Sequence, residues 1–263
     1  MPLDARSGKL WLGTNWKMHK SLAEGQIYCR ELQAIADTLH PDIELFVIPP
    51  HTSLYPLKAM LQGSRIRLGA QNMHWEDEGA YTGEISPMML AEIGLDLIEL
   101  GHSERRQYYN ENDADINRKV HAACRHGLRP LVCIGENAEQ KNAGITEEVL
   151  SMQLKICLAG LSQTQAANVL IAYEPVWAIG ASGIAAEAGY VGQVHGHIRR
   201  VLAGLFGEIG ARMPILYGGS VNESNFESYL DQQDVGGLFI GRAAWDINRF
   251  RHILSTVHQR MNA

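Results

Sequence analysis

Leu97-Ile98-Glu99-Leu100-Gly101-His102-Ser103-Glu104-Arg105-Arg106 is a short apolar run that breaks at a glycine into a cluster of polar and charged residues. A strand-sized run with almost no alternation suits a strand buried on both faces, as in a parallel sheet. The polar cluster stands where such a strand would hand over to a helix. The same punctuation recurs along the chain, at Leu10–Asn15, Leu45–Ile48, Ile66–Gln71, Leu97–Leu100, Pro130–Ile134, Val169–Tyr173, Pro214–Tyr217 and Gly237–Ile240. Between the runs lie amphipathic segments. Ser21-Leu-Ala-Glu24 is a capping box that opens a helix to about Leu39. Asp113 to His126, Glu147 to Leu158, Val191 to Leu205 and Asn248 to His258 carry the same helical spacing.

Strand–helix units in an unbroken row predict an α/β fold, a closed (β/α)8 barrel formed by one domain over residues 1–263. An open sheet can hold a similar pattern, so the periodicity favours the barrel without excluding the sheet. Residues 1–9 form a short polar N-terminal extension, and no linker-like tract interrupts the alternation. The longest stretch with neither pattern, Asn72–Glu84, is expected to be a functional loop.

Composition narrows the function classes. With 46% hydrophobic and 20% charged residues, the chain has the material for a sizeable core. A net charge of −6 gives no reason to expect nucleic acid, and an anionic ligand would need a local positive site. Cys29, Cys124, Cys133 and Cys157 form no C-x-x-C pair and read as buried free thiols in a reducing compartment. No stretch reaches the roughly 18 apolar residues of a membrane span. A soluble, cytoplasmic protein is expected.

In a parallel barrel the site lies at the C-terminal ends of the strands, so the residues that end each run matter most. Those residues are Asn15 and Lys17 after the first, His102 and Glu104 after the fourth, and Glu174 after the sixth. The seventh and eighth runs end in the turns Gly218-Gly219-Ser220 and Gly241-Arg242. Singly, each has an ordinary reading as a rim charge, a turn residue or a hydrogen-bonded histidine. Together at one mouth they suit proton abstraction next to a carbonyl. Glu174 would carry the proton between adjacent carbons, while His102, Asn15 and Lys17 would stabilise the enediolate. His102 stands where a helix begins, and the helix dipole would hold it neutral. The Ser220 and Gly241 turns offer backbone N–H groups to a phosphate.

The strings NWKM (15–18), AQNM (70–73), GAYTGEISP (79–87), GHSERR (101–106), CIGE (133–136), AYEPVWAIG (172–180) and YGGSV (217–221) resemble the triosephosphate isomerase family in order and spacing. The resemblance runs from Asn15 to Trp245 and implies a TIM barrel. By that likeness Glu174 is the base, His102 the electrophile, and Lys17 and Asn15 the oxyanion support, with Glu104 a partner of Lys17. Gly180 in the lid, Ser220, Gly219 and Gly241 would serve the phosphate. The likeness also implies a homodimer through loop 79–86, with Thr82 near its tip.

The chain departs from the family at two places. The usual lid A-I-G-T-G-K-T is here Ala178-Ile179-Gly180-Ala181-Ser182-Gly183-Ile184, without its lysine, and the glycine pair after the eighth strand is Gly241-Arg242. Arg242 either turns outward to an acid such as Asp246 or contacts the phosphate or an extra substrate group. These departures, with Ile98-Glu99-Leu100 ahead of the histidine motif, resemble the erythrulose-phosphate (tetrulose-phosphate) isomerase branch. The substrate expected is then erythrulose phosphate, with triosephosphate isomerase activity the near alternative. A Schiff-base aldolase using Lys17 and a non-catalytic sugar-phosphate-binding barrel are further readings. No cofactor or metal is expected: His195-Gly196-His197 lies in a helical segment where i and i+2 do not share a face, and no dinucleotide fingerprint is present.

Overall fold

The computed structural model describes residues 8–180 and 183–263. Its eight strands are β1 (Leu10–Asn15), β2 (Ile43–Ile48), β3 (Arg67–Ala70), β4 (Leu97–Leu100), β5 (Arg129–Ile134), β6 (Leu170–Tyr173), β7 (Ile215–Tyr217) and β8 (Gly237–Ile240). Each pairs in parallel with the next, and β1 pairs with β8 to close the barrel. The barrel expected from the eight apolar runs is the fold observed. The strand ends shift by a residue or two from expectation, which is the ordinary uncertainty of a boundary without its partner strand. Residues 1–7 of the polar extension, and Ala181 and Ser182 of the lid, lie outside the described residues.

Two apolar populations hold the barrel. Inward side chains at alternate positions, among them Trp11, Phe46, Leu97, Leu131, Leu216 and Phe239, fill the lumen. The other face of each strand packs against the helix layer through a larger core that includes Leu12, Val47, Ile98, Val132, Ile171 and Leu238. Small residues make the lumen packing possible: a Cβ on Gly13 would sit 2.4 Å from the Phe46 ring.

The long helices follow their sequence signals. Ser21 and Glu24 form the expected reciprocal capping box, worth about 1 kcal/mol, and the helix runs Leu22–Ala36 rather than to Leu39. Helices Asp113–Arg125, Thr146–Cys157, Ala188–Phe206 and Ile247–Asn262 occupy the other predicted segments. Ser103–Tyr109 begins where His102 marked a helix start, whereas the short helices at Leu54–Met60, Pro87–Ile93 and Phe226–Leu230 have no counterpart in the sequence reading. At two turns or fewer, their apolar face leaves too few repeats to register as a period. Among the described residues, no helix is long and apolar enough to cross a membrane. All four cysteines are free thiols; Cys29, Cys133 and Cys157 are buried, and Cys124 is half-buried, packed against the main core.

Candidate active site

A cavity of about 630 Å³ opens at the C-terminal ends of the strands. Asn15, Lys17, His102, Glu104 and Glu174 all line it, as do Gly180, Gly219, Ser220, Gly241 and Arg242. The fold therefore brings every residue anticipated at the mouth to one place. The loop residue Thr82 is exposed and lies outside this lining.

β1 delivers Asn15 and Lys17. The Asn15 side chain is held at both ends, its Oδ1 accepting the Lys17 backbone N–H at 2.5 Å and its Nδ2 donating to Glu99 at 2.7 Å. Lys17 sits in the left-handed region at φ 53°, an uncommon place for a residue with a Cβ. The Gln71 amide donates to the Lys17 carbonyl at 2.8 Å and helps hold that conformation. The Lys17 ammonium then reaches Glu104 at 2.6 Å, the pairing that the family likeness implied.

His102 caps the helix Ser103–Tyr109, its Nδ1 accepting the Glu104 backbone N–H at 3.1 Å. A ring nitrogen that accepts a backbone N–H carries no proton, so the ring's own proton is on Nε2. Nε2 faces the Glu174 carboxylate at 3.6 Å, and the other Glu174 oxygen accepts the Ser103 backbone N–H at 3.3 Å. Both side chains are almost fully buried. A carboxylate and a neutral N–H donor side by side over one cavity can move a proton between adjacent carbons while a developing oxyanion is held.

The main chain around Glu174 is packed tightly. A Cβ on Gly135, at the end of β5, would lie 1.9 Å from the Glu174 carbonyl oxygen, and one on Gly218 would lie 2.9 Å from Glu174 Cγ. Beyond Glu174, Trp177 Nε1 donates to Glu136 at 2.8 Å, joined there by the Tyr173 and Tyr190 hydroxyls at 3.1 and 3.0 Å. That carboxylate ties the start of the lid to β5 and to the helix Ala188–Phe206.

On the opposite side of the cavity, the N–H groups of Gly219, Ser220 and Gly241 donate to no protein acceptor among the described residues. Backbone donors left open at a cavity wall suit an anion. Arg242 does not pair with Asp246, which instead caps the helix Ile247–Asn262. Its Nη2 donates to the Gly180 carbonyl at 3.0 Å.

Sequence reasoning missed several lining residues. His19 stacks on Trp245 with ring centroids 4.3 Å apart, and Trp245 Nε1 donates to the Asn15 carbonyl at 2.8 Å. Arg249 grips Glu223 with two bonds of 2.5 and 2.6 Å, which hold that carboxyl down to about 2. Nothing in their local pattern separates these side chains from other helix and loop residues. Glu99 is a different case, fully buried at the floor of the site in a strand that reads as hydrophobic. Among the described residues, Glu99, His102 and Glu174 are the one grouping whose ligand-type atoms converge, within 4.8 Å. His102 suits a cation poorly there, because one ring nitrogen is occupied by a backbone N–H and the other carries the proton.

Comparison with known proteins agrees with this architecture. The family model described as triosephosphate isomerase matches residues 10–257. An L-erythrulose-1-phosphate isomerase of Rhizobium meliloti (strain 1021) is 47% identical over 254 residues, covering 96% of this chain and 98% of the relative. Proteins of the same name from Brucella abortus biovar 1 (strain 9-941) and Mesorhizobium japonicum are each 45% identical, over 97% and 93% of this chain and 99% and 95% of their own length. Built on a closed parallel barrel and matched over nearly all its length, the chain belongs to the triosephosphate isomerase family.

Proposed function

We propose that this isomerase interconverts L-erythrulose 1-phosphate and D-erythrulose 4-phosphate. The observation that carries the chemistry is the pairing of His102 Nε2 with the Glu174 carboxylate, 3.6 Å apart over the cavity. Glu174 takes the proton from C3 of the substrate, and the electron pair forms an enediolate across C2 and C3. His102 donates from Nε2 to the oxygen that becomes negative and moves the hydroxyl proton between O3 and O2. Glu174 returns its proton at C2, which leaves the carbonyl at C3. Lys17 adds a positive charge beside the oxyanion, held by Glu104, and Asn15 contributes a side-chain N–H. Gly180, Gly219, Ser220 and Gly241 bind the phosphate through main-chain N–H groups, with Arg242 beside them.

The choice of a four-carbon sugar is supported by relatives of that name over nearly the full chain. Triosephosphate isomerase activity, as in glycolysis, is the second reading, because the same acid–base pair serves both sugars. The working protein is a homodimer through loop 79–86, including Thr82; Tyr81, Met88 and Met89 leave large apolar side chains exposed along and just after that loop. It is cytoplasmic, in keeping with four free thiols.

The deciding experiment compares kcat/KM for L-erythrulose 1-phosphate and glyceraldehyde 3-phosphate on one preparation. A strong preference for the tetrulose supports the proposal, and a strong preference for the triose replaces it with the second reading. Binding without proton exchange into deuterated water would leave a non-catalytic sugar-phosphate barrel. An adduct trapped on Lys17 by borohydride would point to aldolase chemistry.

A further inference from the structure

The proposed reaction gives every polar group at the floor of the cavity a part except Glu99. This residue lies in β4, two positions after Leu97, and so points into the lumen as Leu97 does. There its carboxyl, with no exposure to solvent, sits where the apolar lumen meets the polar groups of the site. A buried acid is costly unless it is partnered or neutral, so its contacts should account for it.

Glu99 Oε2 accepts the Asn15 amide at 2.7 Å, and Oε1 has the Cys133 thiol at 3.8 Å. The groups facing it come from four directions. They are Asn15 and Lys17 from the end of β1, His102 and Glu104 from the loop and helix after β4, Cys133 from β5, and Glu174 from the end of β6. Burial, and then the nearby Glu174 carboxylate, push the Glu99 carboxyl well above its usual range; the Asn15 bond and Lys17 oppose this, and Glu104 adds to it. Both burial and the Glu174 charge favour the neutral form of the Glu99 carboxyl beneath the site.

We propose that Glu99 is a positioning residue for the isomerisation, holding the Asn15 amide from beneath so that it meets the reacting oxygens in one fixed orientation. A primary amide can present either its oxygen or its nitrogen after a half-turn. Here the Lys17 backbone N–H claims the oxygen and Glu99 claims one hydrogen of the nitrogen, leaving the second N–H for the substrate. Neutrality matters as much as the bond, since an ionised Glu99 would place a second negative charge beneath a forming enediolate. This inference rests on the proposed proton-transfer reading of the site.

The test compares Glu99→Gln, which keeps a neutral accepting oxygen, with Glu99→Leu, which fills the space and removes it. Glu99→Ala repeats the removal with a smaller side chain. The variant with Gln should stay close to the wild type. Leu should lower kcat by roughly ten- to a hundredfold, with little change in KM, as expected when a reacting group is misplaced but the phosphate grip is intact. Adding Asn15→Ala to Glu99→Leu should cost nothing beyond Asn15→Ala alone. A readout that needs no substrate is the Asn15 side-chain NH2 pair in a 15N–1H spectrum. Its split shifts should persist in Glu99→Gln and collapse in Glu99→Leu.

Full activity in Glu99→Leu, additive losses in the double variant, or an Asn15 signal indifferent to residue 99 would overturn the assignment. So would Glu99→Gln as slow as Glu99→Leu, or a loss confined to KM for the tetrulose, which would mean direct contact with substrate. A wild type inactive on both sugars would strike the proposed reaction instead, and the NMR signal alone would then decide the Glu99–Asn15 coupling.

Discussion

Arg242 and Gly180 are joined by a 3.0 Å hydrogen bond, guanidinium to carbonyl, that links the loop after β8 to the loop after β6. The arginine therefore works as a tether across the mouth, in the place where the family carries a second glycine. A solvent-exposed bond of this kind is worth about 1 kcal/mol, or roughly a fivefold factor. Arg242→Ala should accordingly lower kcat/KM by a few-fold in steady-state assays. A loss above about a hundredfold would instead mean that the guanidinium grips the phosphate directly.

Glu174 is held by the Ser103 backbone N–H and faces His102, so its carboxyl has little freedom to reach further. Glu174→Asp withdraws the carboxyl by one methylene from the same backbone position. Turnover should fall by roughly a hundredfold while KM stays near the wild-type value. Steady-state kinetics check this, and a weakened KM at unchanged kcat would remove Glu174 from the role of base.

Lys17 offers a test of backbone strain separate from catalysis. At φ 53° a side chain with a Cβ is unfavourable, and glycine is not. Lys17→Gly and Lys17→Ala should both lose activity with the ammonium. The glycine variant should be the more stable of the two by about 1 kcal/mol in urea denaturation. Equal stabilities would mean that the surrounding loop relaxes around the alanine.

His195 gives the fold an acid sensitivity away from the site. Its ring is fully buried against Tyr173 and Tyr217, and Nδ1 donates to the Asp234 carbonyl at 3.1 Å. Burial pushes its pKa down from 6.5 to about 4, against a smaller opposing effect of the Asp234 bond. Above pH 6.5 the ring is neutral folded or unfolded and costs nothing. Between pH 6.5 and about 4 the unfolded chain takes up a proton that the native fold refuses, so stability falls, by roughly 3 kcal/mol over the whole window. Urea midpoints at pH 7 and pH 5 should drop for the wild type and drop less for His195→Gln.

The barrel was legible because strands buried on both faces stand out as apolar runs, and because polar residues cluster where those runs end. Glu174, His102 and Lys17 were found at their mouth positions for that reason. Glu99 was not found, and the cause is the same feature. A strand with two buried faces shows no alternation, so nothing local says which side is lumen and which is helix layer, and a carboxyl inside it has no visible partner. Asn15, its partner, is 84 residues away. Arg242 was read as facing Asp246 or the ligand, but its acceptor is a carbonyl 62 positions earlier, a contact only the closed barrel creates.

Gly135 carries a lesson for anyone wishing to refit this enzyme to a bulkier sugar. Because a single carbon added there would collide with the Glu174 main chain at 1.9 Å, the wall behind the base cannot be moved without moving the base. Extra room must be taken from the far bank, where Arg242 joins the β8 turn to the lid through a side chain. Selection for new substrates, natural or in the laboratory, should therefore accumulate changes near Arg242 and leave Gly135 untouched.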